Sequence, residues 1–274
     1  MSKRIAVWRI VDYWHCPRMY RDGVQQGREK KMSTSEAIGR ATHAVVSGTD
    51  RGQAVAFLER ELRHEPEAER DAAIRRTVAL AETCAEMTPE SVSNDHKEVQ
   101  LSWFDELTGW EIFAKPDELF YFQDDRGLGV MQITDNKTAQ RMKRKYKDEL
   151  FLFGLVASMA EQWRYSIRLV CRLLGSRTEE TFWFSQREIG RALQKLRSTL
   201  SSIERSWAGE GFEETPGYHC HGCRFRPNCA DGQNWLEMRQ AETNVDVQNP
   251  HVPMSYPALV QINGLVSQPV PCTH

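Results

Sequence analysis

The chain has 274 residues, enough for one substantial domain with embellishments. Hydrophobic residues make up 40% and charged residues 27%, and no apolar run approaches the ~20 residues that cross a bilayer, so a globular protein is predicted and a membrane-spanning one excluded. A formal net charge of −2 excludes a protein that coats nucleic acid by charge alone, because non-specific phosphate affinity needs a basic excess.

The N-terminus, MSKRIAVWRIVDYW, has no apolar segment followed by a small-residue cleavage site, so a cytoplasmic location is expected. Residues 34–47 and 50–87 carry helical spacing rich in Ala, Leu, Glu and Arg, closed by Pro89. From residue 97 the pattern becomes a meander of three or so antiparallel strands, with turns at Asp105–Gly109 and Gln123–Gly127. A helix is predicted over 146–162, strands over 165–174 and 181–185, and an amphipathic helix over 186–207 with Ile189, Leu193, Leu196, Leu200 and Ile203 on one stripe. Beyond about Met238 the sequence is polar and dotted with proline, which predicts an extended or partner-binding tail over 238–274.

Asp135 and Lys137 close a hydrophobic strand two residues apart, hence on one face. A hairpin turn near Asp124–Gly127 brings Asp117, on the preceding strand, beside Asp135. Two converging carboxylates suit Mg²⁺ or Mn²⁺, and a lysine at that edge can orient an attacking water. Upstream, His43 follows Gly39 on the first predicted helix, and imidazole suits Mn²⁺ as a further ligand. Arg141, Lys143, Arg144 and Lys145 form a basic run directly after these groups, read as DNA-binding rather than as a merely solvated face.

The order His43, Asp117, Asp135, Lys137 resembles the PD-(D/E)XK nuclease superfamily, specifically its RecB-like branch: a helix with G-x-x-x-H, a G-x-x-D-like strand, then D-x-K. The chain departs from the branch at Ala114-Lys115-Pro116, where a glycine and a basic residue are usual. It departs again where Glu149 and Phe153 stand in place of Q-x-x-x-Y, with Tyr146 one turn earlier as a substitute. The resemblance implies that His43, Asp117 and Asp135 hold the metal, that Lys137 positions the nucleophile, and that Tyr146 and Glu149 meet DNA.

Seven cysteines are poorly explained as disulfides in a reducing compartment. Cys220, Cys223 and Cys229 are spaced to wrap one metal centre. Zinc with His219 or His221 as fourth ligand is one reading. Cys16, in Cys-Pro-x-x-Tyr, opens another, because a lone cysteine before the core and three after it resemble the iron-sulfur nucleases of the AddB and CRISPR-associated exonuclease type. That resemblance implies a [4Fe-4S] cluster on Cys16, Cys220, Cys223 and Cys229, stapling the two ends of a loop of about 200 residues. Cys84 and Cys171 read as packed thiols and Cys272 as free. The aromatic residues Trp8, Tyr13, Trp14, Tyr20, Phe225 and Trp235 read as core packing first and as base-stacking surfaces second.

The expected fold is therefore α/β: a restriction-endonuclease-like core with a central mixed β-sheet flanked by helices, and an iron-sulfur subdomain formed by the N- and C-terminal segments. Residues 1–237 form one nuclease domain, with the subdomain from about 8–30 and 208–237, the core at about 34–207, and the tail after it. The expected activity is Mg²⁺- or Mn²⁺-dependent hydrolysis of DNA, as an exonuclease on single strands or ends in recombination, repair or foreign-DNA processing. Two alternatives are a catalytically inactive DNA-end-binding subunit and a zinc-stabilised interaction protein. No G-x-x-x-x-G-K-[ST] pattern occurs, so any unwinding falls to a helicase, recombination or CRISPR partner protein.

Overall fold

The computed structural model describes residues 3–25, 32–89, 97–162, 164–223 and 225–248. It opens with β1 (Lys3–Ala6), α1 (Val7–His15) and α2 (Pro17–Gln25), followed by three helices, α3 (Thr34–Val46), α4 (Arg51–Glu61) and α5 (Glu67–Met87). Local capping sets these boundaries: the Ser33 side chain accepts from the Glu36 amide at the start of α3, and Asp50 accepts from Gly52 and Gln53 at the start of α4. Residues 50–87, expected as one helical stretch, form two helices, because the chain turns at 62–65 and Pro66 begins α5.

Four strands follow, β2 (Leu101–Asp105), β3 (Trp110–Ala114), β4 (Glu118–Gln123) and β5 (Gly129–Lys137), then α6 (Arg144–Ala160), β6 (Ser166–Leu173), β7 (Thr178–Phe184), α7 (Gln186–Arg205) and α8 (Ala230–Gln248). The expected meander divides between two sheets. The chain leaves β3 through Lys115 and Pro116, and proline supplies no amide to continue a ladder. One sheet has the order β1-β3-β2, with β1 parallel to β3; the other is mixed, β4-β5-β6-β7, with β5 parallel to β6 and both outer pairs antiparallel. The mixed sheet agrees with expectation, whereas the small second sheet and its β1 were not foreseen.

Helix α6 packs against both sheets as well as α1 and α7, and buries Leu150, Leu152, Phe153, Leu155 and Val156. Helix α7 begins with a reciprocal capping box between Ser185 and Glu188 and buries Ile189, Leu196, Leu200 and Ile203. A separate apolar cluster joins α3, α4 and α5 through Ala37, Ile38, Ala41, Leu58, Leu80 and Cys84. Helix α8 continues past Met238, where the extended tail was expected to begin, to Gln248; Cys272 lies outside the described residues. Among the described residues no helix is long and apolar enough to cross a membrane.

Candidate active site and cysteine cavity

Strand β5 is buried along most of its length, so its polar C-terminal residues Asp135 and Asn136 are carried into the interior by their apolar neighbours. The β4–β5 register pairs Glu118 with Thr134, which sets Asp117, just ahead of β4, across from Asp135 and Asn136. Asp117 Oδ2 accepts the Asn136 backbone N–H at 2.6 Å, and Asp117 Oδ1 lies 2.8 Å from His43 Nδ1 on α3. Lys137 Nζ is 2.7 Å from Asp135 Oδ2 and 2.9 Å from Glu149 Oε2 on α6. The expected hairpin thus brings His43, Asp117, Asp135 and Lys137 together. Gly39 is less constraining than its spacing implies, since a Cβ there would stand 3.9 Å from Thr138 Oγ1, ordinary contact.

Burial and charge act against each other here. Burial alone would lower the His43 pKa, but the Asp117 carboxylate, with Asp135 behind it, raises it to about 9. Asp117 is also buried, yet His43, Lys137 and the Asn136 amide hold its pKa below the usual carboxylate range. Asp135 goes the other way: burial, with Glu149 and Asp117 nearby, pushes it to about 7 despite Lys137. Lys137 is held well above the usual range, because Asp135, Glu149 and Asp117 outweigh its burial. Three carboxyl groups facing one ammonium and one imidazole, with one carboxylate costly to ionise, make a donor set that an added cation would stabilise. Oxygen donors from Asp117 and Asp135 with a nearby imidazole suit Mg²⁺ or Mn²⁺.

Of the residues expected to meet DNA, Tyr146 packs beside the site, its ring centroid 5.2 Å from Lys137 Nζ and 5.8 Å from Lys143 Nζ. Arg141, Lys143, Arg144 and Lys145 are exposed around the start of α6. Glu149 is turned inward onto Lys137. Its partnership was missed in the sequence, although its position three residues after Tyr146 on a helix that follows Lys137 carries the signal.

The far side of the sheet holds a second feature that was missed. Arg172 Nη1 donates to Glu118 Oε1 at 2.7 Å, to Thr88 Oγ1 at 3.1 Å and to Asn136 Oδ1 at 3.2 Å, while Nε donates to Glu179 Oε1 at 2.8 Å. Asn136 therefore links this buried cation to Asp117. Its side chain accepts from Arg172 and its backbone amide donates to the carboxylate.

Cys16, Cys220, Cys223 and Cys229 line one small cavity together with Arg18, His219 and Gly232. The Gly217 amide points at Cys220 Sγ and the Gly232 amide at Cys229 Sγ, both at 3.4 Å. A Cβ on Gly232 would meet those two sulfurs at 3.5 and 3.4 Å, ordinary contact, so this glycine packs directly beside them without being required there. Four thiols with amide donors aimed at sulfur are a donor set suited to a soft metal centre. Among the described residues, no group of three or more His, Cys, Asp or Glu side chains is already gathered at metal-holding spacing, here or at the carboxylates. Cys84 and Cys171 are buried in the cores, and burial with Asp135 alongside pushes the Cys171 thiol up to about 12, as suits a packed thiol.

Residues 4–230 match the family model described as the PD-(D/E)XK nuclease superfamily. No curated protein matches the chain. Two solved structures are similar in part. A presumed exonuclease from Eubacterium rectale has a TM-score of 0.48 at 14% identity, over 78% of this chain and 85% of that one. The protein SSO0001 has a TM-score of 0.43 at 14% identity, over 84% and 87%.

Proposed function

The chain belongs to the PD-(D/E)XK nuclease superfamily, and from that premise we propose that it is a metal-dependent DNA exonuclease of the RecB-like, CRISPR-associated-exonuclease-like branch, acting on single strands or ends in recombination, repair or foreign-DNA processing. The observation that carries this reading is the convergence of His43, Asp117, Asp135 and Lys137, drawn from α3, the start of β4 and the end of β5. Asp117, Asp135 and His43 would hold Mg²⁺ or Mn²⁺, which supplies an activated water and charge neutralisation at phosphate when bound. Lys137 orients the nucleophile and offsets charge growing on the phosphate oxygens. Glu149 keeps its ammonium in place from α6. Asn136 fixes the Asp117 carboxylate through its backbone amide.

The four cysteines support a [4Fe-4S] cluster that ties α1–α2 to the C-terminal segment. Soft sulfur donors lining one cavity and amides directed at two of them favour this reading. Its role is structural, closing a long loop. Incubation of the purified protein with Mn²⁺ and end-labelled DNA, beside Lys137→Ala and Asp135→Ala, tests the activity. The wild type should degrade DNA and both variants should be silent. Equal degradation by all three would assign the activity to a contaminant, and DNA binding without cleavage by the wild type would favour an end-binding subunit.

A further inference from the structure

A run of cationic and aromatic side chains links the candidate site to the cysteine cavity at the junction of α1, α6 and α7. It starts at Lys137 and Lys143, whose ammonium groups share the Tyr146 ring. Arg144 and Lys145, exposed on the first turn of α6, come next, and they place positive charge near His15 at the end of α1. Lys195 of α7 adds another cation: its Nζ sits 3.3 Å from the centroid of the Trp14 ring, and the Trp14 indole is itself tied to Thr199 Oγ1 at 2.6 Å. The rings of His15 and His219 meet edge-on at 5.9 Å, and His219 lines the cysteine cavity.

Two features separate this junction from an ordinary solvated basic face. The carboxylate facing it is Asp148, 3.8 Å from Arg144, set against Lys143, Arg144, Lys145 and Lys195, which two separate segments of sequence, the start of α6 and the middle of α7, bring together. Like charges gathered this way are costly without an anion between them. The imidazole Nε2 atoms of both His15 and His219 are also buried with no hydrogen-bond partner among the described residues, and buried polar atoms are ordinarily satisfied, by a water, an ion or a ligand where protein supplies no partner. A chain of evenly spaced phosphates matches such a row better than a single small anion.

We propose that this junction is the track of a single DNA strand between the candidate active site and the cysteine module, with Lys143, Arg144, Lys145 and Lys195 taking phosphates and His15 and His219 at its far end. The proposal rests on the nuclease reading for its choice of ligand. It is tested with the full chain and a fluorescein-labelled oligothymidine of about 20 nucleotides, with binding followed by anisotropy over a salt series without added Mg²⁺ or Mn²⁺. Lys195→Gln and Arg144→Gln should each weaken binding several-fold and flatten the plot of log affinity against log salt by about 0.7. The double variant should lose both contributions. Arg60→Gln, on exposed α4, should match the wild type. All four proteins should melt alike, because the substituted side chains are exposed.

Unchanged affinity and slope in the double variant would overturn the track, and so would a wild type that does not bind the oligonucleotide. Cleavage with Mn²⁺, measured in parallel, separates the two readings. A wild type that cleaves while the double variant binds normally removes the track and leaves the nuclease. Track-dependent binding without any cleavage keeps the track and removes the nuclease.

Discussion

Replacing Arg172 with methionine should destabilise the fold by about 3–5 kcal/mol, the usual cost of removing one partner from a buried ion pair. The Arg172 side chain is 1% exposed and that of Glu118 0%, so neither charge can turn to water. Glu118 Oε2 has no hydrogen-bond partner among the described residues, which leaves the carboxylate dependent on Arg172 and Thr88 through Oε1. The loss corresponds to a fall in Tm of about 6–20 °C for a domain of this size, readable by circular dichroism alongside urea unfolding. The double variant Glu118→Leu/Arg172→Met, which removes both charges, should recover more than half of that loss, because an apolar replacement of a buried pair is often neutral. A single variant that loses less than about 1 kcal/mol, or a double variant that loses the sum of the two singles, would refute the view that the pair acts as one buried unit.

Asp105 tests a different staple, between β2 and α7. Burial opposes its charge, but hydrogen bonds from Arg197 and Thr108 more than compensate and lower its pKa. A depressed carboxyl contributes stability above its unfolded pKa of about 3.9 and loses it as pH falls through the folded value. Asp105→Asn should therefore cost about 2 kcal/mol at pH 7 and progressively less below pH of about 4, in urea melts across pH; a constant difference would show that the charge is irrelevant. Ser185→Ala removes the capping box of α7 and should cost about 1 kcal/mol, an effect that Ser185→Thr should largely spare. Anaerobically purified protein should be brown, with absorbance near about 400 nm and iron in proportion. Cys16→Ser should bleach it and lower Tm, whereas a colourless protein carrying one zinc would replace the cluster with the zinc reading.

Helix and strand periodicity made most elements of the core legible, because the alternation along β4, the largely apolar run of β5 and the stripe on α7 each encode what is buried. The Asp-x-Lys pair was legible for the same reason, since two residues along a strand always share a face. Strand β1 was not. Four residues, two of them exposed, carry too little pattern, and their pairing with β3 is parallel across about a hundred residues of sequence. The split of the meander into two sheets hinges on the geometry around Pro116, which local periodicity does not report. Arg172 and Glu118 were hidden because a charged residue in a strand reads as solvent-facing unless its partner is known, and the partner lies 54 residues away. Lys195 and His15 were missed likewise: each is unremarkable on its own helix, and they come to one junction only once α1 and α7 pack on α6.

The last turn of β5 shows why a register error here would be so damaging. Asp135 and Lys137 project toward α6 and Glu149, while Asn136 between them projects to the opposite face and meets Arg172. A slip of one residue would carry the Asp135 carboxylate and the Lys137 ammonium into the Arg172–Glu118 network and turn Asn136 into the carboxylate site. The network resists that slip because Arg172, held between Glu118 on β4 and Glu179 on β7, accommodates an amide oxygen at position 136 but would repel a lysine. The buried ion pair therefore opposes a one-residue misregistration that would dismantle the site. Its stability cost and its positioning of Asn136 are two consequences of one placement, and a variant that relaxes the pair should disorder Asp117 before it unfolds the sheet.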